Sequence, residues 1–200
     1  AWSTVDAAQN QETSGARIQA LEELANNKHT LAGLDADGAD LIGISLPETE
    51  LFCANLNKSK LNISNLEGAN LSRSSMVFAD LRGAQLSKAN LQDANLSLAK
   101  LSTVDVRTWQ SYSKISKKRS IKDVIFNIAR FKSSSEGQEK HNNSSYDDSQ
   151  KTCLRSAKLW GAKLLDADLR GVNLRDADLS GADLRYADLT RADLSGADLT

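Results

Sequence analysis

Leucine returns at every fifth position along two stretches of this chain. In the first it occupies 41, 46, 51, 56, 61, 66 and 71, Met76 stands in once, and leucine resumes at 81, 86, 91, 96 and 101, with Val106 continuing the count. In the second it runs without a gap from Leu154 to Leu199. Two residues before most of these leucines sits alanine, as at Ala69, Ala79, Ala89, Ala167, Ala177 and Ala187. A period of five fits neither the 3.6 of a helix nor the 2 of a strand. The chain must therefore turn once per step. Glycine supports this independently: nine of the 11 glycines, among them Gly43, Gly83, Gly171 and Gly196, lie two residues after a central position, where a tight turn calls for positive φ. Four steps of about 90° close a square coil, and coils stack at the inter-strand spacing of roughly 4.8 Å. The pattern thus predicts an all-β solenoid in which residues 20 apart lie on one face.

The stretches "GADLRYADLTRADLSGADL" and "FADLRGAQLSKANLQDANL" carry alanine, then aspartate or asparagine, then leucine and two variable residues. In this the chain resembles the pentapeptide-repeat family, and the resemblance implies a right-handed quadrilateral β-helix with the central leucine and the preceding alanine inside. Leu41, Leu61, Leu81, Leu91, Leu169, Leu179 and Leu189 are then core residues. The opening stretch also resembles the entry to pentapeptide domains of cyanobacterial type, some of which follow membrane segments; on that resemblance the chain is cytoplasmic or part of a larger membrane-associated parent.

Two departures from the period divide the chain. Within residues 1–28, Ile18, Leu21, Leu24 and Ala25 share one helical face, predicting a helix over about 14–27 with Ser14 as N-cap. Laid across the end of the solenoid, it would cap unpaired backbone and an open apolar column. Residues 29–106 read as the first β-helix run. From Leu101 to Leu154 the separation is not a multiple of five, so 107–151 reads as an insertion. Within it "SIKDVIFNIARF" places Ile121, Val124, Ile125 and Ile128 at helical spacing, flanked by Lys114, Lys117, Lys118, Arg119, Lys122, Arg130 and Lys132. Residues 133–151 are polar and serine-rich, the composition of a mobile, protease-sensitive segment. Residues 152–200 form the second run, expected to continue the first, because each alone holds few coils.

Charge and chemistry narrow the function. The 25 Lys and Arg balance 26 Asp and Glu, which argues against a polyanion and against a general nucleic-acid binder. Cys53 and Cys153 stand far apart without metal-ligand spacing, and His29 and His141 have no nucleophile or base beside them. No enzyme activity, cofactor or metal is expected. Outward columns show what the coil presents. Asp40, Lys60, Asp80 and Lys100 alternate in charge, whereas Asp168 over Asp188 and Asp178 over Asp198 repel unless Arg170, Arg175, Arg185 or Arg191 lies alongside. Trp160 and Tyr186 face outward, and Val77, Phe78 and Leu98 form an apolar patch fit for a partner or for cover by the insertion or the amino-terminal helix.

The reading favoured is a non-catalytic structural or protein-interaction module presenting a rigid surface and a basic insertion to a protein partner. Its alternatives are membrane-surface docking through the basic helix and, from family members that mimic duplex DNA, a modulator of topoisomerases such as DNA gyrase. No sequence-specific nucleic acid is expected. The final coil offers an edge for weak homodimerisation.

Overall fold

In a computed structural model, the structure describes residues 15–102 and 152–200. Helix α1, Gly15–Asn26, is followed by a coil that bridges to itself every 20 residues: Asp35 pairs in parallel with Asn55, Asn55 with Ser75 and Ser75 with Asn95, and the other three faces repeat this. At every described step the residue two after the central position has positive φ. Glycine holds nine of these corners, while residues as varied as Lys58 (φ 54°), Ile63 (φ 53°) and Phe78 (φ 60°) hold others. The turn then closes with a backbone bond such as Ser74 N to Leu71 O, 3.1 Å. Positive φ at its third residue is the type II signature.

One step shows why the pattern favours asparagine or aspartate before leucine. Asn70 N donates to Thr49 O of the coil before; Leu71 N and Arg73 N donate to Asn90 O and Gln92 O of the coil after; Ser74 N closes the turn. The remaining amide, on Ser72, donates to Asn70 Oδ1 at 3.3 Å. All five amides of the step are satisfied, so burying its backbone orphans no amide. The same side-chain contact recurs from Asp40, Asn95, Asp168 and Asp198. Where Ser75 replaces the acid or amide, Val77 N donates instead to Asn57 Oδ1 of the neighbouring coil at 2.8 Å.

The core is one continuous cluster of central leucines and preceding alanines, fully buried from Leu31 to Leu179. At two alanine places serine returns its hydroxyl to its own turn: Ser59 Oγ donates to Leu56 O at 2.7 Å, and Ser74 Oγ to Leu71 O at 2.6 Å. Leu41, Leu61, Leu81, Leu91, Leu169 and Leu179 are all buried. Leu189, expected among them, is only partly buried, packed against the same cluster.

Helix α1 buries Ile18, Leu21 and Leu24 in the same cluster, with Ala25 partly buried against it. Two of its polar side chains meet backbone groups of the first coil: Arg17 Nη2 donates to Asp35 O at 2.7 Å, and Glu22 Oε1 accepts from Ser45 N at 2.8 Å. Elsewhere in the coil such carbonyls and amides are met by the coil before.

The register across 103–151 departs from the five-residue count. Asp80 pairs with Lys100, and the next step pairs Gln85 with Cys153. The place in the stack after Leu101 therefore belongs to Leu154, over Leu86, rather than to Val106; Leu86 N donates to Cys153 O at 2.8 Å. Val106 itself lies outside the described residues. At the junction Gly83 N donates to the hydroxyl of buried Thr152 at 2.9 Å, where the regular acceptor would be the carbonyl of residue 102. Thr152→Val keeps the shape and leaves that amide unpaired, so a loss of about 1–3 kcal/mol is expected in chemical denaturation. An unchanged midpoint would show that the hydroxyl is dispensable.

Candidate functional site

Side chains at the corners point away from the core, and one column of corners carries exposed apolar groups. That column reads Gly38, Lys58, Phe78, Leu98, Asp166 and Tyr186, each stacked over the last by bonds such as Phe78 N to Ser97 O (3.2 Å) and Leu98 N to Leu165 O (2.9 Å). Phe78 is 56% exposed, Leu98 39% and Tyr186 84%, and all three have φ near 60°. Half-buried Val77 and Leu165 flank them. Of the residues singled out in sequence, Val77, Phe78 and Leu98 are thus brought together. Leu165 and Tyr186 were missed as members, because placing them needs Leu154 counted as the step after Leu101. The basic residues Lys114, Lys117, Lys118, Arg119, Lys122, Arg130 and Lys132, the helix expected around them and the polar stretch 133–151 lie outside the described residues.

On another side Phe52 and Trp160, each just before a corner and on separate coils, are exposed, with the Arg73 guanidinium 5.9 Å from the centre of the Phe52 ring and 3.9 Å from Asp93. No group of three or more histidine, cysteine or acidic side chains suited to a metal occurs among the described residues, and Cys53 and Cys153 are free thiols. No helix among them is long and apolar enough to cross a membrane.

The family model for pentapeptide repeats matches this chain in eight copies, over residues 64–102 and, in two overlapping stretches, over 152–200. A pentapeptide repeat protein of known structure from Nostoc PCC 7120, alr5209, is 33% identical over 48% of this chain and 83% of its own, with a TM-score of 0.39. The chain belongs to the pentapeptide-repeat family. HetL, a pentapeptide repeat protein involved in heterocyst differentiation regulation from the cyanobacterium Nostoc sp. strain PCC 7120, is 28% identical, with a TM-score of 0.56 over 85% of this chain. This chain spans 65% of the length of HetL. QnrB1, a plasmid-mediated fluoroquinolone resistance protein, is 17% identical over 86% of this chain and 70% of its own, with a TM-score of 0.32. Among curated proteins no sequence matches. The likeness to solved pentapeptide-repeat structures implies a right-handed quadrilateral β-helix.

In this pentapeptide-repeat coil arginines meet several of the stacked aspartates. Arg170 Nε lies 2.8 Å from Asp168 and 3.7 Å from Asp188, spanning the like-charged pair. Arg175 meets Asp193 at 2.6 Å, and Arg185 meets Asp183 at 2.8 Å. Asp178 and Asp198 accept instead from Ser180 and Thr200 of their own turns. In the alternating column Lys60 reaches Asp40 at 3.9 Å, but Asp80 is held by Arg82. These contacts favour the charged carboxylates. The Arg185 guanidinium lowers Asp183 to about 2; Arg170 lowers Asp168, the Thr190 hydroxyl lowers Asp188, and at Asp80 burial pushes upward but is outweighed by Arg82. A carboxylate whose folded pKa is depressed stabilises the fold above its ordinary value near 3.8 and loses that contribution as pH falls through the folded value. The melting midpoint should therefore stay level from neutral pH to about 5 and fall between about 4 and 2. A midpoint already falling above pH 5 would assign the loss to other groups.

Proposed function

We propose that this chain is a non-catalytic protein-interaction module, a rigid β-helix with α1 as its amino-terminal cap. It presents the Val77, Phe78 and Leu98 corner, extended by Leu165 and Tyr186, together with the basic residues from Lys114 to Lys132, to a protein partner whose surface combines acidic and apolar groups. One observation carries the reading. Phe78, Leu98 and Tyr186 are exposed apolar side chains held in the left-handed region, where glycine or asparagine would be less strained and more soluble. Two local preferences are thus broken at three positions of one column, Phe78 and Leu98 on successive coils and Tyr186 beyond Asp166, and such violations without a structural gain mark functional surface.

The paired variant Phe78→Asn with Leu98→Asn separates binding from folding, since asparagine suits positive φ. Partner captured from the source cells should be purified and titrated against both proteins. Binding about tenfold weaker or more is expected, with an unchanged or raised melting midpoint. Equal affinity in that variant and in one lacking the basic residues would overturn the proposal.

Mimicry of duplex DNA, and with it action on gyrase, is the weaker reading, because it needs a bare acidic face. Arginines accompany Asp168, Asp183, Asp188 and Asp193. No inhibition of gyrase supercoiling is expected at micromolar protein. Self-association through the last coil and contact with a membrane surface have no comparable observation in their favour.

A further inference from the structure

We infer that the β-helix is complete without residues 103–151: the segment is set into one corner of a coil whose register already closes across it. The inference rests on pairing rather than on the segment itself. Before the break, bridge partners are 20 residues apart, as in Asp80 with Lys100; across it they are 68 apart in all four faces, from Gln85 with Cys153 to Lys100 with Asp168; after it they are 20 apart again, as in Cys153 with Asn173. The excess of 48 is constant, so no face has slipped or twisted to accommodate the excursion. Subtracting it leaves a single corner residue between Ser102 and Thr152, and Leu101 and Leu154 then stand five apart.

The chemistry of that corner agrees. The same corner on other coils is occupied by Gly43, Ile63, Gly83, Gly171 and Arg191, all at positive φ, so one glycine is a natural closure. Thr152 is buried, as Ile44, Ser64, Ala84 and Val172 are at the same place on other coils; Ser102 is buried as well, although Arg82 and Arg170 at its place are not. The bond from Gly83 N is redirected to Thr152 Oγ1, which accepts it. Thr152 Oγ1 in turn lies 3.2 Å from Leu81 O and 3.4 Å from Ser102 O, holding the two sides of the break together. A body that needed the segment would show its absence from the ladder as a gap; here the ladder runs through. This separates the molecule into a scaffold and an attachment, and it deepens the proposed function by placing the basic residues on the attachment alone.

Three variants test it. In the first, 103–151 is replaced by one glycine; in the second, by a Gly/Ser segment of about 15 residues; in the third, Ser102 is joined directly to Thr152, which displaces Leu154 from the column by one position. The first two should keep the circular dichroism of the intact chain, and the glycine-closed chain should melt at or above the intact midpoint, since a shorter closure restricts the unfolded chain. The third should lose about 10 °C or more. Unfolding of both the glycine-closed and the Gly/Ser chains would overturn the inference, as would equal melting of the first and third. Partner binding is measured on the folded glycine-closed chain only. Unweakened binding there counts against the reading of the basic residues and leaves the register inference standing, so the two failures are distinguished.

Discussion

Replacing Leu91 with aspartate is expected to unfold the coil at ambient temperature. Leu91 is fully buried between the leucines of the coils before and after, and its amide bonds Lys158 O at 2.7 Å across the break in sequence. An ionised carboxylate there finds neither cation nor water, and a buried unpaired charge costs several kcal/mol even after the surroundings relax. Against a total stability of about 5–15 kcal/mol, that cost combines with the loss of the leucine itself, about 2–5 kcal/mol. Because each coil is stabilised by its neighbours, damage in the middle separates two stacks that are each too short. The neighbouring exposed Gln92→Asp is the control and should melt within a few degrees of the parent. A folded Leu91→Asp protein with an unchanged midpoint would mean that the inside and outside of the coil have been assigned the wrong way round.

The second large effect is expected at the other end. Leu21→Ala in α1 removes a fully buried side chain from the cluster it shares with the first coil. A cavity of this kind costs about 2–5 kcal/mol. Its consequence is local as well as global: with α1 loosened, Arg17 and Glu22 no longer hold Asp35 O and Ser45 N, and the first coil frays. Hydrogen exchange should rise at Ser45 and Asn55 before it rises at Leu91. Uniform exchange along the coil would instead show that α1 contributes only to the global balance.

The leucine and alanine columns were legible because each is a periodic apolar signal with a single physical cause. Glycine at nine corners disclosed the turn, yet the remaining corners are taken by residues such as Lys88, Asp93 and Ile63, whose positive φ no local preference announces. There the stacking of whole coils overrides the single residue. The aspartates before leucine read in sequence as surface charge, and their role as acceptors for their own turn became visible only with the backbone in place. The place of Leu154 after Leu101 was hidden for a different reason: five-residue counting carries on to Val106, and only pairing partners can say which residue fills a stack. That one offset also concealed Leu165 and Tyr186 from the corner they share with Leu98.

A coil whose four faces pair in one unbroken ladder gives each of its four edges the properties of a measuring scale. Successive marks are one inter-strand spacing apart, roughly 4.8 Å, and their separation does not depend on which side chain is mounted there. Glycine, lysine, phenylalanine, leucine, aspartate and tyrosine all occupy marks on the same edge here. What is displayed can therefore be rewritten mark by mark while the distances between marks stay fixed, so a partner that reads this edge reads identity and spacing as independent quantities.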